Sequence, residues 1–332
     1  MVERRFLVVR LGSLGDIVHA FPAVSALRES FPNAEISWLT HPKWELLVRS
    51  SDLATDIWAV DTRNWRNLRG ILKRLRQHRF DTAIDYQGLW KSATIPFLAR
   101  VPERIGFSAA TIREAGVPVL YTKRVKVNAA HVADQNGELS LQAGARTATA
   151  GVSLQIPDDD YRVVRARLLA ENVVDYIVLS PGGGWRSKCW PAERFGQLAK
   201  QILKEFGVRC VINIGPDEKD LSEVVLRSAE GAQPVAFTGS LGQLMALLKN
   251  ASAVVAGDTG PLHLADALGT CAAAIFGPTD PARNGPYRRS GVVLRWEGAT
   301  TTYKRGDTAD ESLLHISVDQ VMNALRGLRS AA

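Results

Sequence analysis

The chain has 332 residues, 41 Lys plus Arg against 34 Asp plus Glu, 46% apolar side chains and 23% charged ones. These values exclude disordered, collagenous and coiled-coil chains, and at about 100–200 residues per domain the length holds two domains or one large one. Cys189, Cys210 and Cys271 leave an odd cysteine in any pairing and lack Cys/His ligand spacing, so a disulfide framework and a structural zinc are excluded and a reducing compartment fits. No apolar run approaches the roughly 18 residues of a membrane span, and the opening apolar stretch is too short for a signal peptide. The expectation is a soluble, cytoplasmic protein.

In chain order, Phe6–Arg10 reads as a strand, followed by Gly12-Ser13-Leu14-Gly15-Asp16 and a helical pattern to about Ser30. That loop is neither a GxGxxG fingerprint nor a P-loop. Its glycines permit a tight backbone, and Asp16 at the mouth of the next helix reads equally as a functional carboxylate or an N-cap. Glu35–Thr40, Asp56–Val60 and Asp81–Asp85 are further strands, each followed by a helical segment. Between the last two, Arg63 to Arg79 holds seven basic residues and no acidic one. Leu68, Ile71, Leu72 and Leu75 recur there at i, i+3, i+4 and i+7, one helix face, so the basic side chains project from the rest of the cylinder. Residues 1–150 carry 21 basic and 14 acidic side chains, against 20 of each in 151–332. A solvated face is the plain reading of such a run; with carboxylates wholly absent, an acidic substrate or anionic membrane surface is the expected partner. Zinc-finger spacing, RNP-like aromatics and a basic tail are missing, so nucleic acid is not expected.

Periodicity lapses over about 143–157 and then restarts, which sets two domains, 1–152 and 153–332. Asp158-Asp159-Asp160 contains an Asp-x-Asp metal pattern, but it follows a proline and opens an amphipathic stretch, as helix-capping residues do. Asp175–Ser180 is a strand, then come Gly182-Gly183-Gly184 and Lys188 before a helix over Ala192–Phe206. Three glycines, a cation and a helix start together suit a phosphate group. Val208–Ile214 is a strand, Glu218–Ala229 a helix, and Pro234–Phe237, Ser252–Ala256 and Cys271–Phe276 are strands. The fourth of these is followed by Gly257-Asp258-Thr259-Gly260-Pro261-Leu262-His263, the fifth by Gly277-Pro278-Thr279-Asp280-Pro281. Thr300 to Arg305 matches no pattern, and Val318–Leu328 is a final helix. Strand–helix alternation carried through twice implies an α/β protein of two doubly wound parallel sheets, facing each other across a cleft, with ligands beyond the carboxyl ends of the strands. GxSxG and HExxH signatures are absent.

Six segments in order carry a resemblance. Ser13-Leu14-Gly15-Asp16-Ile17-Val18-His19 matches Ser-x-Gly-Asp-x-x-His, and Asp85 to Ser92 matches Asp-x-Gln-Gly-Leu-x-Lys-Ser. Lys188-Cys189-Trp190-Pro191 matches Lys-x-Trp-Pro, and Gly215-Pro216-Asp217-Glu218 matches Gly-x-x-Glu. Asp258 to His263 matches Asp-Thr-Gly-x-x-His, and Gly277 to Pro281 matches Gly-Pro-Thr-Asp-Pro. The chain resembles glycosyltransferase family 9, the lipopolysaccharide heptosyltransferases, over essentially its full length, and its two amino-terminal motifs are more similar to heptosyltransferase I than to II.

The resemblance implies a GT-B fold with two Rossmann-like domains, acceptor in the basic first and nucleotide-sugar in the second, and a final helix packing back on the first. It implies an inverting glycosyltransferase moving heptose from ADP-L-glycero-β-D-manno-heptose to a Kdo-lipid A-type anionic glycolipid of the inner core. Asp16 would be the general base and Lys188 would stabilise the leaving diphosphate. Gly183, Gly184, Glu218, Asp258, Thr259, Gly260 and His263 would hold the donor. Ser13, Gly15, Gln87, Lys91, Arg63, Arg66 and Arg113 would meet the acceptor. No metal and no cofactor are expected, and the protein is expected to be a monomer touching the inner-membrane surface peripherally. Gly183-Gly184 departs from the Thr pair of heptosyltransferase I and removes two hydroxyls from the donor phosphates. A GT-B transferase with another nucleotide-sugar, or a sugar-nucleotide epimerase, is the alternative; an epimerase has no use for the basic segment. A non-catalytic sugar-nucleotide-binding protein would have lost Asp16 or Lys188, and both are present.

Overall fold

The structure is a computed structural model that describes residues 4–330 apart from Pro216, Asp217 and Arg289, and not the side chains of 65–67, so that of Arg66 lies outside the description. Short apolar runs alternate with amphipathic segments, and the two kinds sort into parallel strands and covering helices. The chain divides by its internal contacts into two compact units, Met1–Gln155 and Ile156–Ala332.

The first unit runs β1 (Arg5–Val9), α1 (Leu14–Val18), α2 (Phe21–Ser30), β2 (Glu35–Thr40), α3 (Glu45–Ser50) and β3 (Asp56–Ala59). It continues with α4 (Trp65–His78), β4 (Thr82–Asp85), α5 (Trp90–Leu98), β5 (Glu103–Phe107), β6 (Lys123–Val125) and α6 (Val132–Gln142). Its six strands stand in the order β3-β2-β1-β4-β5-β6, every pair parallel. Phe6 to Val9 are all fully buried because helices cover both faces, which is why this strand reads as a continuous apolar run. One face buries Leu7, Val9 and Ala83 against Ile71 and Leu75 of α4 and Ile95 of α5. On the other, Phe21 of α2 meets Trp38 edge-on at 5.6 Å.

The second unit runs α7 (Asp158–Ala170), β7 (Tyr176–Ser180), α8 (Ala192–Phe206), β8 (Arg209–Asn213), α9 (Lys219–Ser228), β9 (Val235–Phe237) and α10 (Leu241–Lys249). After it come β10 (Ala253–Gly257), α11 (Gly260–Leu268), β11 (Ala272–Phe276), α12 (Pro281–Asn284), β12 (Gly291–Arg295), α13 (Glu311–Leu314) and α14 (Val318–Ser330). The order is β12-β11-β10-β7-β8-β9, again all parallel, and it repeats the topology of the first sheet. In each sheet the strand order reverses between the first strand and the fourth, β1/β4 and β7/β10. Doubly wound sheets bind ligands beyond the carboxyl ends of the strands at such a reversal.

Three strands escaped the sequence pattern. β5 begins with Glu103-Arg104, β6 is three residues long, and β12 is a partly exposed edge, so none shows an unbroken apolar run. Asp158, Asp159 and Asp160 form the first turn of α7, where carboxylates oppose the helix dipole. Val321, Met322, Ala324 and Leu325 of the final helix, α14, join the core of the second unit with Phe195, Leu198 and Ile202 of α8. An apolar stripe of four buried side chains beside its own sheet leaves the helix a local place to pack.

Candidate active site

At the first switch point the loops after β1 and β4 are tied together. Leu11 N–H donates to Gln87 Oε1 at 2.8 Å, and Arg10, almost fully buried, donates through Nη1 to the Tyr86 carbonyl. Arg10 Nη2 lies 2.6 Å from Asp16 Oδ1. Asp16 Oδ2 accepts from both the backbone N–H and the hydroxyl of Ser13, each at 2.9 Å. Both carboxylate oxygens are therefore oriented, while the side chain keeps 44% of its surface open. The N-cap of α1 is Ser13 rather than Asp16: Asp16 is the third residue of the helix and reaches back to the Ser13 N–H, while its other oxygen meets Arg10. Gly12 is required here: a Cβ would come 2.8 Å from Trp44 Nε1, and its φ of +154° disfavours any side chain.

Below this loop sits a carboxylate that sequence reasoning used only as a motif letter. Asp85, 1% exposed, accepts from Gln87 N–H at 2.9 Å, Gly88 N–H at 3.2 Å, Ser92 Oγ at 2.8 Å and Tyr121 Oη at 2.7 Å. Burial raises its pKa, against the opposing pull of those four donors. The result fixes the 86–92 turn, and with it Gln87 and the exposed Lys91. Arg113 is exposed on the β5–β6 loop, which packs Ile112 over Gly88 and offers Glu114 Oε2 to Trp90 N–H at 2.7 Å. Ser13, Gly15, Asp16 and Gln87 thus converge, and Lys91 and Arg113 lie on adjoining loops of the same sheet edge. Arg63 stands apart, exposed after the edge strand β3, where its N–H donates to Asp61 at 3.0 Å.

At the second switch point, Lys188 Nζ contacts Asp258 Oδ2 at 2.6 Å, and His263 Nε2 lies 3.1 Å from Asp258 Oδ1. Burial raises the pKa of Asp258, but His263 and Lys188 outweigh it and hold the carboxyl far below the usual carboxylate range. The loops after β7 and β10 are in close contact. A Cβ on Gly183 would lie 3.2 Å from Cys189 Sγ and 3.3 Å from Thr259 Cγ2, and one on Gly257 2.9 Å from the Lys188 carbonyl. Gly184 has open space. Thr259 caps α11 in extended backbone, and its buried Oγ has no partner among the described residues. Glu218 Oε2 accepts from Gly215 N–H at 2.7 Å; burial raises its pKa, opposed by that bond and by Arg186. Pro216 and Asp217 of the same motif lie outside the described residues. Burial pushes the Cys189 thiol up to about 11, so it stays protonated inside its motif.

Three participants were missed. Gly182 leaves room for the Glu218 carboxylate, from which a Cβ there would fall 1.7 Å; three glycines in a row hid which one matters. Trp185 has Lys188 Nζ 4.4 Å from its ring and the Arg305 guanidinium 5.4 Å away. Arg305 belongs to the unassigned stretch, and that stretch has a place: Ser187 N–H donates to Gly306 O at 3.3 Å, and Asp310 N–H to Ser187 O at 3.2 Å. This clasp holds the turn that carries Lys188. No sequence signal links residues 187 and 306.

The pattern of glycosyltransferase family 9 (heptosyltransferase) matches residues 68–312. Lipopolysaccharide heptosyltransferase 1 of Pseudomonas aeruginosa is 29% identical over 310 residues, 87% of this chain and 83% of the relative. The same-named protein of Escherichia coli K12 is 26% identical over 312 residues, 88% and 93%. Among solved structures, Escherichia coli ADP-heptose lipopolysaccharide heptosyltransferase II superposes with a TM-score of 0.83 at 21% identity, over 98% of this chain and 99% of that one. Escherichia coli heptosyltransferase WaaC with ADP does so at 0.78 and 24%, over 98% and 99%. These likenesses make the fold GT-B, and with two six-stranded sheets carrying most of the motifs at their switch points, the chain belongs to glycosyltransferase family 9, the heptosyltransferases, and is a glycosyltransferase.

Proposed function

We propose that the chain transfers L-glycero-D-manno-heptose from ADP-heptose to a Kdo-lipid A-type acceptor of the lipopolysaccharide inner core, with inversion and without a metal, as a cytoplasmic enzyme peripheral to the inner membrane. The observation that carries the proposal is that each unit bears an oriented charged cluster at its own switch point: a carboxylate, Asp16, in the basic unit, and Lys188 with Asp258 and His263 in the other. Asp16 takes the proton of the acceptor hydroxyl as its oxygen bonds to the anomeric carbon. The bond from that carbon to the diphosphate oxygen breaks, and ADP leaves with the electron pair from the opposite face. Lys188, Arg305 and the N–H groups of Thr259 and Gly260 meet the charge on the diphosphate, the part a metal would otherwise play. Glu218 accepts from the ribose hydroxyls. Asp258 is a positioning residue, since it holds Lys188 and His263 in place. Gln87, Lys91 and Arg113 meet the carboxylates and phosphates of the acceptor, and Arg63 meets an outlying one.

Asp16→Asn is expected to abolish transfer while ADP affinity stays within a few-fold; retained turnover removes Asp16 as the base. Thermal unfolding with ADP, UDP and GDP tests the donor. A ligand at about 100 times Kd stabilises by roughly 2.7 kcal/mol. Stabilisation by ADP alone supports the proposal, and a UDP or GDP preference replaces ADP-heptose with another donor.

A further inference from the structure

Helices α4 and α5 form one layer over the first sheet, with Ile71, Leu75 and Ile95 turned into the core. The outer side of that layer is unusual in charge and in polarity. Arg69, Lys73, Arg74 and Arg76 of α4 are exposed, and no carboxylate occurs in residues 62–80 or in 86–102. On α5, Trp90, Phe97 and Leu98 are 45%, 44% and 38% exposed. Their spacing of i, i+7 and i+8 puts them on one helix face, with Lys91 beside the first.

The two helices meet at a cavity of about 440 Å³ lined by Arg76, Arg100 and Arg104 with Phe97, Leu98 and Pro102, and by no acidic residue. Arg76 Nε donates to the Leu98 carbonyl at 2.9 Å, and Arg104 Nε to the Leu120 carbonyl at 2.7 Å, with its guanidinium 5.5 Å from the Phe97 ring. The nearest carboxylates in sequence are engaged elsewhere: Glu103 accepts from Thr82 Oγ and Glu114 from Trp90 N–H, each at 2.7 Å. Three like charges around one cavity repel one another until an anion sits among them.

An outward aromatic–aliphatic stripe fringed by arginine and lysine has the composition that lies in the headgroup boundary of an anionic bilayer. The geometry points to the outer side of α4–α5 as a docking surface for an anionic lipid bilayer, with Trp90, Phe97 and Leu98 entering the headgroup boundary and a lipid phosphate in the Arg76–Arg100–Arg104 cavity. Helix α5 starts at the carboxyl edge of the sheet, next to Gln87 and Lys91. A bilayer lying along it therefore presents a lipid-linked acceptor to that edge. This last step rests on the acceptor proposed above; the docking itself does not.

Flotation of the full chain with mixed phosphatidylglycerol–phosphatidylcholine vesicles, against pure phosphatidylcholine, tests the surface. The parent is expected to partition onto the mixed vesicles and much less onto the neutral ones. Arg100→Glu is expected to lower partitioning onto mixed vesicles about tenfold, and the double change Phe97→Ser with Leu98→Ser about tenfold. Arg227→Glu, an exposed reversal on α9, is expected to change nothing. Parent that ignores anionic vesicles, or variants at positions 97, 98 and 100 that float like the parent, would overturn the surface. All four positions are exposed, and an unchanged Tm excludes misfolding as the cause of a loss. Transfer to a water-soluble, deacylated acceptor separates the two proposals. Arg100→Glu leaves it unchanged, whereas a parent inactive on that acceptor speaks against the acceptor and leaves the docking standing.

Discussion

Two buried aspartates, one in each unit, have their pKa values shifted in opposite directions. Burial raises Asp85 above the unfolded carboxyl value of about 3.9, so the native state binds more protons between the two values and the cost of its charge is relieved as pH falls through that window. Asp85→Asn removes the charge while Oδ1 keeps both N–H donors and the two hydroxyls turn round. The variant is expected to gain on the parent at neutral pH, with the gap closing as pH falls toward about 4 in denaturant titrations; a gap that widens on acidification would contradict it. Asp85→Ala, which strands four donors, is expected to cost about 3 kcal/mol. Asp258 is depressed by His263 and Lys188, net of burial, so its contribution is full above about 3.9 and lost as pH falls below it. Lys188→Ala is expected to lower kcat by about 10²–10³. It also removes one of the two partners that hold Asp258 down, so its stability loss at neutral pH should shrink in acid.

At the scale of elements, the functional loops are held by contacts that skip along the chain. The Gly182–Lys188 loop must pass over Glu218 and against Thr259, and the 306–310 segment clasps it at Ser187. Gly182→Ala is expected to displace the Glu218 carboxylate, raising the donor KM with a smaller effect on kcat. Arg305→Ala is expected to weaken ADP about tenfold and AMP much less, as the loss of one charge-assisted contact to the second phosphate would. Equal losses for ADP and AMP in titration calorimetry would make 298–312 a scaffold only. Helix α5 joins two roles in one element, opening at the Asp85-fixed turn and carrying the apolar stripe on its outer face.

For the whole molecule, two units with separate cores repeat one strand order, and four of the six motifs follow the strands at the order reversal, the other two following the flanking strands β8 and β11. Leu325 of α14 is fully buried in the core of the second unit, so Leu325→Ala is expected to cost about 2–5 kcal/mol. Calorimetry should show the loss in the transition that ADP raises; a loss confined to a transition insensitive to ADP would place the donor elsewhere. No helix of the described residues is long and apolar enough to cross a membrane. The sequence alone determined the α/β class, the two strand–helix series and most of the residues of the candidate site, because period-two and period-3.6 patterns, glycines and short motifs are local properties of the chain. Asp16, Lys188 and Asp258 were legible for that reason, each in the segment that follows an apolar strand. Strands such as β5, β6 and β12 were not, since pairing with a buried neighbour, rather than their own composition, makes them strands. Tertiary structure alone decided the Arg10 contact with Asp16, the cage around Asp85, the place of Arg305 and the seat of α14. Each depends on side chains brought together from distant positions, and the interactions that join them act through distance in space.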